Sequence, residues 1–188
     1  MSHVIPIAGI AVLSVLAAVV DLRLRKIPNA LVAFGAGLGL VIQAEVGGLD
    51  GVVAGLCGLL AGAAVLLPGF LLRTTGAGDV KLMAALGTFV GPYWALVAAL
   101  TSVIVGAALA LAVAVVGTLA GIGRSPWRRY GGMLRCLLAT GRVAYIAPEP
   151  GEIMGMKLPF AVSIAIGTLG TLWWWWPTPL VPFAGGGG

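Results

Sequence analysis

Charge is scarce in this chain. Only 9% of its 188 residues are Asp, Glu, Lys or Arg, against roughly 25% in soluble domains. So few charges cannot cover a surface facing water, and the natural solvent is lipid. Histidine occurs once, at His3, and cysteine twice, at Cys57 and Cys136. A single terminal histidine leaves histidine-based acid–base or nucleophilic chemistry without material. No CxxC pair exists, which removes the usual zinc patterns. Neither a metal nor a cofactor is expected. Cys57 lies in an apolar run and Cys136 in a polar segment, so a disulfide between them is not expected either. The first apolar stretch, 4–20, has no Lys or Arg before it, unlike a signal peptide. No soluble basic domain is present, which excludes the ordinary nucleic-acid readers.

What the chain has is apolar length. Hydrophobic residues make up 60% of it, and its mean hydropathy is +1.10. A helix rises about 1.5 Å per residue, so about 20 apolar residues cross the hydrocarbon. The apolar runs divide at about 4–20, 30–44, 51–72, 80–90, 93–119 and 158–176. The expected fold is an all-α polytopic membrane protein with about six transmembrane helices. The fourth, at 80–90, is short and is stopped by Gly91-Pro92. The whole chain, 1–188, reads as a single membrane-embedded domain with a flexible tail at about 181–188.

The cations test this layout. With the N-terminus outside, the inner loops are 21–29, 73–81 and 120–157, and they hold all 11 Lys and Arg. That distribution obeys the positive-inside rule. If the short helix did not cross, the basic 120–157 segment would lie outside. Membrane lipids account for the basic balance, because these residues are juxtamembrane.

Three other patterns stand out. Gly51, Gly55, Gly58 and Gly62 form one helical stripe, which predicts a tight helix–helix seam. Arg128, Arg135 and Arg142 recur every seven residues, with Trp127, Leu134, Leu137 and Leu138 mostly on other faces. That pattern predicts a helix in the membrane interface, anchoring to headgroups or docking a protein substrate. Trp173 to Trp176, followed by Pro177, reads as an interfacial anchor.

Only six acids are present. Glu45 and Asp50 flank an outer turn, and Glu149 and Glu152 sit in a Pro/Gly-rich inner loop. Asp21 follows the first apolar run, and Asp79 opens the short helix. Two crossings separate them, so both face the same side, the basic one. An ionised Asp toward the bilayer interior costs roughly 2.5–3.5 kcal/mol, which marks a function or a partner. The structural alternatives are pairing of Asp21 with Arg25, and Asp79 as N-cap of a helix beginning at Val80. Two carboxyls about 4 Å apart repel by about 4 kcal/mol at an effective dielectric near 20, equivalent to about three pKa units. Such a pair shares one proton near neutral pH and titrates as a unit. That is the arrangement of aspartic proteases, which activate water with one carboxyl and protonate the carbonyl oxygen with the other.

The two acids sit in defined contexts. One segment reads Asp21-Leu22-Arg23-Leu24-Arg25-Lys26-Ile27-Pro28-Asn29. The other reads Thr75-Gly76-Ala77-Gly78-Asp79-Val80-Lys81-Leu82. Together they resemble the type IV prepilin peptidase family, which carries one catalytic Asp shortly before Ile-Pro-Asn and a second in GxGDxKL. The last span, beginning Lys157-Leu158-Pro159-Phe160-Ala161, is similar to the family's C-terminal helix. The resemblance implies a membrane aspartic endopeptidase that removes the basic leader from prepilins at the cytosolic membrane face. It implies Asp21 and Asp79 as the catalytic pair, with Gly76, Gly78, Lys81, Pro28 and Asn29 shaping the site. It also implies a prokaryotic cytoplasmic membrane location and a prepilin or pilin-like substrate. Long members add an N-terminal domain with paired cysteines and methylate the new pilin N-terminus. This chain has no such segment, so the resemblance points to the short branch serving tight-adherence (Flp-type) pili, without methyltransferase activity. Archaeal preflagellin peptidases are short as well, so the branch stays open. The alternative from another class is a small proton- or cation-coupled transporter using the same two acids. The oligomeric state is not legible.

Overall fold

The computed structural model describes residues 4–72, 75–122, 125–142, 146–147, 151, 153 and 160–175. Among them there are five α-helices and no strands: α1 Val4–Leu24, α2 Asn29–Leu71, α3 Ala77–Leu119, α4 Trp127–Thr140 and α5 Phe160–Trp175. The tail at 181–188, the 157–159 start of the last apolar run and Trp176-Pro177 lie outside the described residues.

Three of these helices are long and apolar enough to cross a membrane, over Ile7–Leu24, Asn29–Leu71 and Ala77–Leu119. The apolar α5 is shorter. Helix α2 has 43 residues and would run about 64 Å if straight, twice the hydrocarbon thickness. It does not run straight. Gly48 leaves helical geometry at φ 58, ψ −138, a conformation that side chains with a Cβ rarely adopt. The chain reverses there. A Cβ placed at Gly55 would lie 2.9 Å from the Leu40 side chain, which is impossible for residues 15 apart on one straight helix. Helix α3 has the same length and breaks at Gly91, with φ 75, ψ 177, immediately before Pro92. Pro92 cannot donate a backbone hydrogen bond and forces an extended residue before it. The break leaves carbonyls without helical partners. The Gln43 side-chain amide donates to one of them, Phe89 O, at 3.0 Å, which satisfies a group that lipid could not.

The breaks fall where the apolar runs divide, between 44 and 51 and at Gly91-Pro92. The helix edges differ from expectation in two places. Helix α1 continues to Leu24, so Asp21 lies inside it rather than after it. Helix α3 starts at Ala77, not at Val80.

The described chain divides into two compact units, Met1–Gly106 with Pro159–Gly188, and Ala107–Leu158. In the first unit α1 packs on α2 and α5. Its core includes Ile10, Leu13, Leu82, Leu86, Phe89 and Ile164. Gly51, Gly55, Gly58 and Gly62 are all buried and form the tight seam. A Cβ at Gly58 would strike Gly87 O, and a Cβ at Gly87 would strike Gly58 O. A Cβ at Gly62 would lie 2.5 Å from Met83 O. Backbone therefore lies on backbone, as small residues permit between membrane helices. Helix α5 docks in the same way. A Cβ at Gly167 would lie 2.6 Å from Ser102 Cα, and Thr101 Oγ1 is 3.0 Å from Thr171 Oγ1.

In the second unit, Ile153 is buried and packs on α3 at Gly117, where a Cβ would meet Ile153 Cγ2 at 2.9 Å. The Arg129 guanidinium donates to Ile146 O at 2.9 Å and stacks over the Tyr130 ring at 4.7 Å. Helix α4 ends at Gly141, whose left-handed conformation, φ 66, ψ 6, is the common glycine stop.

Candidate active site

Two short segments build the region around the two acids. Asp21 lies in the last turn of α1, half-exposed, and its carbonyl accepts a hydrogen bond from Arg25 N at 2.8 Å. Arg25 then takes positive φ, at 50°, and the helix ends. Pro28 is the N-cap of α2 in an extended conformation. Its carbonyl accepts from Leu31 N at 3.1 Å and Val32 N at 3.4 Å. Thus Ile27-Pro28-Asn29 stops one helix and starts the next, because proline tolerates a helix start but not an interior.

Asp79 is 9% exposed, in the first turn of α3. Its Oδ2 accepts a hydrogen bond from Gly76 N at 3.0 Å, while Asp79 N donates to Gly76 O at 3.2 Å. Asp79 is therefore the third helical residue, reaching back to the residue before the helix, as the acid of a capping box does. It is not the N-cap of a helix starting at Val80. A negative group here also meets the positive end of the helix dipole. Glycine eases the close reach: a Cβ on Gly76 would lie 3.1 Å from Asp79 Oδ2, so the carboxyl would have to shift by a few tenths of an ångström. Thr75 steadies the approach, its hydroxyl donating to Leu66 O at 3.4 Å and its N–H to Gly69 O at 3.2 Å.

The two segments touch each other at two points. Ile27 is buried among exposed neighbours, and a Cβ on Gly78 would lie 3.3 Å from Ile27 Cβ. Lys81 Nζ donates to Asn29 Oδ1 at 3.1 Å. Of the residues singled out by sequence, Gly78, Lys81 and Asn29 thus join the segments, and Gly76 holds the Asp79 carboxylate. Pro28 acts through the backbone, setting the start of α2. Ile27, which precedes Pro28 in the same motif, gains a role from its packing on Gly78. An isolated branched apolar residue between Lys26 and Pro28 was the available signal. Among the described residues no cluster of His, Cys, Asp and Glu could hold a metal.

The long apolar helices define a helical membrane protein. The model of the type IV leader peptidase family matches residues 8–111, more than half of the chain. The chain belongs to this family of proteases. The match spans both acid-bearing segments and ends before α4 and α5. Neither the curated proteins nor the solved structures compared with the chain give a match.

Proposed function

We propose that this chain is an aspartic endopeptidase that removes the basic leader from type IV prepilins of the Flp type. The proposed site is at the cytosolic face of the prokaryotic cytoplasmic membrane, with Asp21 and Asp79 as the acting pair. The observation that carries this reading is the docking of their two segments through Ile27–Gly78 and Asn29–Lys81. In this reading six helices cross the bilayer with the N-terminus outside. The breaks at Gly48 and Gly91 divide α2 and α3 into two crossings each, and every basic residue then faces the cytosol.

The chemistry follows from one proton shared by two carboxyls. The ionised carboxyl takes a proton from water as the oxygen adds to the scissile carbonyl. The protonated carboxyl gives its proton to the carbonyl oxygen. When the tetrahedral adduct collapses, the oxygen returns its proton and the carboxyl that took the water proton delivers it to the leaving amine. The pair ends as it began, with no metal or cofactor in the cycle. Gly76 leaves room for an extended substrate backbone beside Asp79. The family match favours this reading over a transporter using the same acids.

The test is cleavage of a co-expressed Flp-type prepilin by the wild type, Asp21→Asn and Asp79→Asn. Both variants are expected to lose cleavage at unchanged membrane abundance. Cleavage retained in either removes that residue from the pair. Ion flux that depends on either acid would return the transporter.

A further inference from the structure

Helix α4 lies outside the region matched by the family model, which ends at residue 111, and the site just described does not use it. At 100° per residue, Trp127, Tyr130, Leu134, Leu137 and Leu138 fall within an arc of about 100°. None of them is buried. Leu134 is 56% exposed and Leu138 78%. Arg128 and Arg135 lie on one flank, about 120° round from the centre of this apolar arc, and Arg142 follows just past the helix end. No acid occurs in α4, and the 107–158 unit carries six basic residues against two acidic ones.

We propose that α4 lies in the plane of the anionic leaflet, its Trp127–Leu138 face among the acyl chains and Arg128, Arg135 and Arg142 on lipid phosphates. Three features select a lipid surface as the occupant. The aromatic residues Trp127 and Tyr130 share the apolar arc, and such rings favour the headgroup boundary. The arginines sit beside that arc, where their stems follow apolar surface and their heads reach phosphate. The helix is also tethered to the membrane. Only residues 120–126 separate it from the end of α3, a reach of at most about 25 Å. Arg129 is already engaged by Ile146 O and the Tyr130 ring and fixes the start of the helix instead. Each basic residue at an anionic surface contributes about five-fold to partitioning. Removing all three charges therefore weakens α4's preference for that surface on the order of a hundredfold.

The test uses the full chain in nanodiscs, with Cys57→Ala and Cys136→Ala as background. A nitroxide is attached in turn at Leu134→Cys, Leu138→Cys and Ala139→Cys. Collisions with oxygen and with a water-soluble nickel chelate are then measured by electron paramagnetic resonance. In phosphatidylglycerol-rich discs the labels at 134 and 138 are expected to meet oxygen and escape nickel, and the label at 139 to meet nickel. Replacing Arg128, Arg135 and Arg142 by Gln, or changing to pure phosphatidylcholine, is expected to raise nickel access at 138. Replacing them by Lys is expected to leave it low. Equal nickel access at 138 and 139 in anionic discs would place α4 in water and overturn the proposal. So would a 138 label shielded from both reagents, because a protein would then cover the face. Unchanged depth in the Gln variant and in neutral discs would overturn the assignment to anionic headgroups.

Discussion

The contact between Gly78 and Ile27 sets the spacing of the two acid-bearing segments, and Gly78→Ala tests it. Two effects of the added methyl oppose each other. Alanine is favoured over glycine inside a helix by about 1 kcal/mol, less in the first turn, where Gly78 stands. The new Cβ would lie 3.3 Å from Ile27 Cβ, inside the roughly 3.5–4.0 Å optimum for carbon. The segments must therefore separate by a few tenths of an ångström. Stability is expected to change by less than about 1 kcal/mol, so the variant should reach the membrane normally. Catalysis is less tolerant, since a displacement of 1 Å can cost about a hundredfold. A shift of about 0.3 Å then costs about fourfold in kcat/KM. Gly78→Val places two more methyls against Ile27 and is expected to lose about a hundredfold or more. The assay is cleavage of a purified prepilin by each variant in nanodiscs, normalised to folded enzyme. Equal rates for wild type and Gly78→Val would refute the spacing argument. Additive losses in Gly78→Ala and Ile27→Ala, with no coupling in the double variant, would refute it as well.

Other expectations follow from the same contacts. Lys81→Met and Asn29→Ala each remove one exposed hydrogen bond of 3.1 Å. Each should lower kcat/KM by about fivefold, and the double variant no further, since such a bond is worth about 1 kcal/mol; kinetics of the three variants check this. Gly76→Ala puts a Cβ 3.1 Å from Asp79 Oδ2 and should lower kcat/KM, because it both moves a reacting group and narrows the space for the substrate backbone beside it. Gly58→Val drives a side chain into the Gly87 backbone and should prevent folding, whereas Gly37→Ala, with nothing within 4 Å, should be tolerated or stabilising. Thermal aggregation of the two proteins in detergent separates these outcomes.

The breaks of the helices were legible in the sequence because they are written in local chemistry. Gly48 sits between two apolar runs, and Gly91-Pro92 ends a third. The glycine stripe of 51, 55, 58 and 62 was legible for the same reason, since a helical period is a local property. The helix ends beside the acids were misplaced by three or four residues, each for its own reason. Hydropathy falls after Val20, but the backbone bonds of α1 need no apolar side chains and run on to Leu24. Glycine propensity argues against a helix at Gly76 to Gly78, yet the Asp79 side chain closes the first turn on Gly76 N. Asn29 and Lys81 were named in the sequence as site residues, but that they pair with each other was not legible. Asn29 and Lys81 are separated by 52 positions, and only the folded backbone shows that one side chain reaches the other. The two acids themselves were conspicuous for a simpler reason, because acids are rare in this chain.

The place of α5 has a consequence for how the protein is made. Helix α5 follows the long helices in the chain, yet it packs back on α1, which carries Asp21, as well as on α3. Until residues 160–175 leave the ribosome, the Thr101 hydroxyl has neither Thr171 nor the Gly167 carbonyl beside it, and one flank of α1 faces lipid. The packing around α1, and with it the scaffold under Asp21, is therefore complete only once α5 has been made. A nascent chain arrested before α5 is expected to be digested by added protease at sites that the finished protein shields. Equal resistance in the two would mean that the first three helices lock together without the last.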